Sequence, residues 1–292
     1  MRLLLSLAVF FLLLAKIDRL CLKASRGFCR HFIDVPLQPH PEWQTKTHFP
    51  ADLFKKPFYF LGKGSQTFVF ESADKTTILK LYKYPSHMRR FGFVSHPLGY
   101  HFSPKRIALK KHNLERWELS YNSYFLAHQH LPSETGVSYI HLNPTTHLRR
   151  SIDLRDKTGR SYKLPLDQLG FVVQKKGSPF LPLLKKTLDE NQQGQARLMI
   201  DSLFQLIASR CSKGITDLDN MDHDNYGWAD GHAIHLDIGR FKQKKNIQLQ
   251  DELGRVTAPL KAFLQKNSPE LLDYYLERLR LERMRTTSAS EV

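Results

Sequence analysis

Cysteine is scarce in this chain of 292 residues: Cys21, Cys29 and Cys211 are too few and too unevenly spaced for a disulfide framework. No CxxC pair occurs, so a thiolate zinc site is also unsupported. Acids are in short supply as well. Against 44 Lys and Arg stand 28 Asp and Glu, a formal net charge of +16. Such an excess favours a polyanionic neighbour: nucleic acid, an anionic membrane surface or a phosphorylated compound. Nucleic acid is the least favoured of the three, because the aromatics fall at helical core spacings instead of interleaving with basic residues as a stacking platform would. A calcium loop is missing too. Counted from Asp217, position five is Met221, position six is Asp222 and position twelve is Trp228 where Glu is needed.

An apolar run opens the chain, MRLLLSLAVFFLLLA. About thirteen apolar residues follow Arg2, short of the roughly 20 that a full span requires. Leu13 before Ala15 and Lys16 after it make a poor cleavage signal. Lys16, Arg19, Lys23, Arg26 and Arg30 lie downstream, and this bias keeps the following chain in the cytoplasm. Residues 1–30 are therefore expected to be a hydrophobic anchor or signal segment, favouring a membrane-associated protein with its globular part cytoplasmic. Residues 31–54, rich in Pro, His and polar residues, read as a linker or extended arm.

Hydrophobic content of 41% and charged content of 25% are ordinary for a globular fold. Phe58–Leu61, Phe68–Glu71 and Thr77–Tyr82 read as strands, the first two joined by Gly62-Lys63-Gly64-Ser65-Gln66-Thr67. No helix follows these glycines, so the element is a phosphate-covering flap and not a dinucleotide-binding turn. Lys80 sits inside an apolar strand and points either to solvent or inward toward an anion. Ser103-Pro104 is a helix start. That helix should run to about His130 with Ile107, Leu114, Trp117, Tyr121, Tyr124 and Phe125 as its apolar stripe. Strands are expected over 137–142, 151–154 and 169–174. After Gln174, Lys175-Lys176-Gly177-Ser178-Pro179 reads as a hinge, and the chain then turns helical over 181–188 and 193–212. Met199, Leu203, Phe204, Ile207 and Cys211 form the buried stripe of the longer helix. Further helices are expected over 258–265 and 269–284, before an unstructured tail at 286–292.

The most informative stretch is Lys213–Phe241, KGITDLDNMDHDNYGWADGHAIHLDIGRF. Asp230-Gly231 between two short apolar runs is a strong hairpin signal. Asn225 enters that hairpin and Asp237 leaves it, so both side chains belong at one end. A carboxylate and an amide held together suit magnesium and phosphate, because Mg²⁺ takes hard oxygen ligands and keeps several waters.

In order, these features resemble the protein-kinase-like fold over roughly residues 58–285: Gly-rich hairpin, strand Lys, long helix with Glu, sheet, hinge, helical part, acidic loop, Asn and DxG. The resemblance implies an α+β, bilobal architecture, with a β-rich N-lobe over 55–176 and a reduced helical C-lobe over 177–285. The flap GKGSQTFVF follows the family's GxGxxGxV with Thr67 in place of the third glycine. By resemblance, Gly62, Gly64, Ser65, Val69 and Gln174 belong to a nucleotide site. Lys80 would hold phosphates and Glu118, or less well Glu115, would position it. Asp237-Ile238-Gly239 matches the metal-binding DFG, and Asn225 the metal-binding Asn. Asp219 falls at the proton-accepting Asp, with Asp217 and Asn220 as alternatives, because Asn225 lies six residues after Asp219 where the family spacing is five.

What the resemblance implies is an ATP- and Mg²⁺-dependent phosphotransferase of atypical type. The acceptor is open, a sugar or glycolipid hydroxyl or a protein hydroxyl. Only 51 residues follow Phe241 and no APE motif appears, which disfavours the large platform of protein-substrate kinases. The alternative is a pseudokinase that binds nucleotide or a partner without turnover. A third reading, a basic module for nucleic acid or membrane on a degenerate fold, has the least support.

Overall fold

The computed structural model describes residues 16, 20, 22–33, 37–84, 104–221 and 225–289. It divides into two compact units, Met1–Trp117 with His141–Val173, and Glu118–Ile140 with Gln174–Val292. The long helix thus contributes residues to both units. The α+β class expected from sequence is observed: strands dominate the first unit and helices the second.

In the first unit, β1 (Phe58–Lys63), β2 (Thr67–Ser72) and β3 (Thr77–Tyr82) form an antiparallel meander. β1 also pairs in parallel with β5 (Ser151–Arg155), which turns back into β6 (Ser161–Pro165). The order across this part of the sheet, including β7 (Phe171–Lys175), is β7-β3-β2-β1-β5-β6. Alternation along β1 and β2 places Phe60, Phe68 and Phe70 on one face. There they gather around Phe28 with ring centroids 5.1–5.5 Å apart.

The described part of residues 31–54 carries apolar anchors. Ile33, Leu37, Trp43 and Phe54 are buried, and the Trp43 ring meets Trp117 edge-on at 5.8 Å. Apolar anchors spaced along a polar stretch hold it to the unit, which a reading of average composition overlooks.

The long helix α1 spans Pro104–His130, starting where predicted, although Ser103 lies outside the described residues. Its stripe is buried only in its later half. Trp117, Tyr121 and Tyr124 are buried, while Ile107 is 57% exposed. A one-turn helix α2 (Pro132–Thr135) then leads into β4 (Val137–His141).

The second unit is built around α4 (Gln193–Ser212), which packs with α3 (Phe180–Asp189), α5 (Leu249–Val256), α6 (Ala258–Asn267) and α7 (Pro269–Ala289). Met199, Leu203, Phe204 and Ile207 are buried as the periodicity required, and half-buried Cys211 packs at the edge. Helix α5 was not expected, and α7 runs through residues 286–289, which read on sequence as tail. A short strand β8 (Ser178–Pro179) pairs with β10 (Tyr226–Ala229), which forms a hairpin with β11 (His232–His235). β9 (Ile215–Asp217) pairs with β12 (Phe241–Gln243). Among the described residues no helix is long and apolar enough to cross a membrane, and the apolar run over 1–15 lies outside them.

Replacing Trp43 with Ala should destabilise the protein by roughly 3–5 kcal/mol, the usual cost of truncating a buried Trp. Denaturant unfolding followed by fluorescence measures it. A change below about 0.5 kcal/mol, as for an exposed arm, would contradict the packing.

Candidate active site

The β10–β11 hairpin turns at Asp230 and Gly231, whose φ angles of 49° and 80° define the two-residue turn that Asp-Gly favours. Gly227 is required for a different reason: a Cβ there would meet the Leu236 side chain at 2.7 Å. The hairpin brings the backbones of Asn225 and Asp237 to one end. The Asn225 carbonyl accepts from Leu236 N at 2.8 Å and Asp237 N at 3.3 Å. Asn225 Nδ2 donates to Asn220 O at 2.9 Å, which orients its Oδ1 as the remaining acceptor. The exposed Asp237 carboxylate accepts from Gly239 N at 3.1 Å. Buried Ile238 between them is anchored by Ser123 of α1. That hydroxyl donates to Ile238 O and accepts from Phe241 N at 2.7 Å.

Behind the loop lies a buried charged cluster. Arg210, fully enclosed in the last turn of α4, faces Glu252 of α5 with Nη2–Oε1 at 2.9 Å. Glu252 Oε1 accepts from Thr216 Oγ1 at 3.0 Å and Asp217 N at 3.2 Å. Burial works to raise the Glu252 pKa, but the Arg255 hydrogen bond and the Arg210 charge outweigh it and hold the group ionised. Arg255 donates to the Asp217 carbonyl, to Asp219 O at 3.3 Å, to Asn220 Oδ1 at 2.9 Å and to Glu252 Oε2 at 2.8 Å. One guanidinium therefore holds three residues of the loop 217–220, Asp217, Asp219 and Asn220.

The three candidate proton acceptors now separate. Asp217 is 2% exposed, and burial pushes its carboxyl up to about 7, with Arg210 opposing and the Asp219 and Asp237 charges adding. Its Oδ1 accepts from Asp219 N at 3.0 Å, and Oδ2 lies 3.9 Å from His235 Nδ1, beyond hydrogen-bonding range. Burial and the Arg210 charge hold His235 neutral, its ring packed between Tyr226 and Phe241 at 4.5 and 4.9 Å. Asn220 is occupied by Arg255. Asp219 is half-buried, and its Oδ1 takes Arg240 Nη1 at 2.7 Å.

In the first unit, β2 and β3 pair Val69 with Lys80, placing both on the sheet face opposite Phe68 and Phe70. Lys80 is 8% exposed, the inward alternative of the sequence reading. Strand β1 carries a bulge between Phe60 and Gly62, just before the flap turn, and a Cβ on Gly62 would meet nothing within 4 Å. Gly64 N donates to Thr67 O at 2.9 Å, and Ser65 is exposed. Glu118 is exposed on α1, as is Glu115, which faces Lys111 at 4.0 Å. Gln174 is buried. Its amide donates to Thr135 O at 2.7 Å and His235 O at 2.8 Å, so its side chain is committed to the second unit's own framework.

Sequence reading missed Arg210, Arg240, Glu252 and Arg255. Arg210 left a signal, because it lies three residues after Ile207 and seven after Leu203, on the buried stripe of α4. The other three lie outside any motif.

Among the described residues no three His, Cys, Asp or Glu side chains gather as a metal site. Asn225 and Asp237 nevertheless fit Mg²⁺, which is held by few protein oxygens when phosphate supplies the rest. No family model matches the chain, and no curated protein does. Among solved structures, the co-crystal structure of WbdD with the kinase inhibitor LY294002 is similar over 70% of this chain and 36% of that one, at 14% identity and a TM-score of 0.33. The bifunctional kinase-methyltransferase WbdD, in a medium-resolution structure, is similar over 66% and 34%, at 15% identity and the same score. The chain thus spans about a third of the length of these proteins. A likeness this distant carries no weight for fold or activity.

Because the Asp217 pKa is raised on folding, its penalty is absent below the unfolded value near 3.8, grows as pH rises and is complete above about 7. The Asp217→Asn variant should therefore gain thermal stability relative to wild type between pH 4 and 7, with no further gain above. The full effect is bounded by about 4 kcal/mol. A difference in Tm that is flat across this range would contradict the assignment.

Proposed function

We propose that the chain is an ATP- and Mg²⁺-dependent phosphotransferase. The observation that carries this reading is the hairpin end where Asn225 and Asp237 meet, beside a loop whose acids are fixed by buried charge. The order of motifs along the chain supports it by resemblance.

In this reading Asp237 and Asn225 hold Mg²⁺, which when bound neutralises charge on the phosphates. Lys80 and the Gly62–Ser65 flap bind the nucleotide phosphates, and Val69 contributes apolar contact. Glu118 remains the helix residue that the resemblance assigns to positioning Lys80. Asp219 accepts the proton of the acceptor hydroxyl. Its half-buried carboxylate suits that role better than Asp217, whose burial makes it a structural member of the loop. Arg240 orients Asp219 by taking Oδ1 and leaves Oδ2 for the acceptor. Positioning and charge stabilisation account for most of such catalysis, so each of these groups is worth orders of magnitude in rate. Acceptors within this proposal are sugar or glycolipid hydroxyls and protein hydroxyls, with the basic surface favouring an anionic one.

A pseudokinase is the second reading. The Arg240 ion pair on Asp219 and the extra residue before Asn225 favour it.

Thermal unfolding of the full chain with ATP, with and without Mg²⁺, tests the site. Nucleotide at 100-fold over Kd should add about 2.7 kcal/mol. The shift should require Mg²⁺ and vanish in Lys80→Ala and Asp237→Ala, whereas Asp219→Asn should keep the shift and lose phosphate release. A folded wild-type protein with no shift would overturn nucleotide binding. A shift without phosphate release toward water or sugar acceptors would favour the pseudokinase.

A further inference from the structure

The first unit contains a cavity of about 640 Å³ between residues 22–32 and the β5–β6 hairpin. That volume lies within the roughly 300–1,000 Å³ typical of small-molecule sites. Its lining divides by chemistry. Leu22, Phe28 and Phe32 supply apolar surface, and Arg30, His31 and Arg160 supply nitrogen donors.

Burial works to raise the pKa of Asp156, the acid in the wall, but hydrogen bonds from neutral groups hold it low and the group stays ionised. Asp156 therefore offsets one of the two guanidinium charges and leaves the other in excess. It is 8% exposed, and its carboxylate accepts from Thr158 N at 2.8 Å, Thr158 Oγ1 at 2.6 Å, Arg160 N at 3.1 Å and Tyr162 OH at 2.9 Å. It is spent on closing the hairpin turn. Arg30 and Arg160 are exposed, and the Arg160 guanidinium sits 5.3 Å from the Tyr162 ring centroid, which fixes its place. Lys63 lies against Gly27, so closely that a methyl group there would collide with its ammonium. In sequence, the apolar run of residues 3–14 and then Lys16, Lys23 and Arg26 lead directly into the cavity wall.

We propose that this cavity binds an anionic amphiphile, with a phosphate-type headgroup against Arg30 and Arg160 and an apolar tail against Phe28 and Phe32. A membrane phospholipid is the favoured source, because a basic, apolar-led segment forms the wall. The site is independent of the phosphotransferase reading.

Cys29 lines the same cavity and reports its occupancy. Cys211 does not interfere, since burial pushes its thiol up to about 11 and leaves little reactive thiolate. Peptide mapping separates Cys21. The measurement is the rate of Cys29 alkylation by a maleimide in the full chain, with monomeric lysophosphatidylglycerol, lysophosphatidylcholine or glycerol 3-phosphate. The anionic lysolipid should slow labelling at least fivefold and the zwitterionic one should not. Protection should disappear in Arg30→Gln/Arg160→Gln and persist in Arg30→Lys/Arg160→Lys, both at exposed positions with the fold checked by circular dichroism. Equal protection by glycerol 3-phosphate would keep the anion site but assign it to free phosphate esters. Absence of protection, equal protection by both lysolipids, or protection unchanged in the Gln variant would overturn the proposal.

Discussion

Enclosing the guanidinium of Arg210 is the constraint on which the second unit's loop geometry depends. A buried cation costs several kcal/mol unless an anion accompanies it, and removing one partner of such a pair is far more damaging than never having it. Glu252 is that anion. Because its carboxylate also takes Thr216 Oγ1 and Asp217 N, the pairing does more than neutralise Arg210. It ties the end of α4 and the start of α5 to strand β9, from which the acidic loop departs. Arg255 completes the arrangement by reaching the backbone on the far side of Asp217.

Burial then decides what neighbouring acids can do. Asp217 and Asp219 are two residues apart and identical in chemistry, yet one is enclosed against Arg210 and the other meets solvent and Arg240. In a low-dielectric setting the enclosed carboxyl holds its proton into the neutral range, because burial outweighs the opposing Arg210 charge. A group in that position shapes the loop, whereas the half-buried Asp219 carboxylate keeps contact with solvent.

The parts of this structure legible in sequence were those written in local pattern. Asp230-Gly231 specified its turn because few residues tolerate positive φ, and that turn alone placed Asn225 beside Asp237. The α4 stripe followed from helical spacing. What escaped detection depends on distant partners. Arg210 and Glu252 lie 42 positions apart, and neither belongs to a motif. Trp43 is buried in a stretch whose composition suggests exposure, because a single large anchor outweighs its polar neighbours. Ile107 shows the opposite case, an apolar residue in helical register that remains exposed. The Gln174 side chain bonds two carbonyls, Thr135 O and His235 O, that only the fold brings within reach.

Amide hydrogen exchange in wild type and in Glu252→Gln tests the central claim, that buried charge holds the acidic loop. The substitution keeps an acceptor oxygen and removes the charge that Arg210 needs. Exchange at Asp217 and Asp219 should quicken at least tenfold, a loss of about 1.4 kcal/mol of local protection, while amides of β1–β3 keep their wild-type rates. Unchanged exchange at Asp217 and Asp219 would contradict the account.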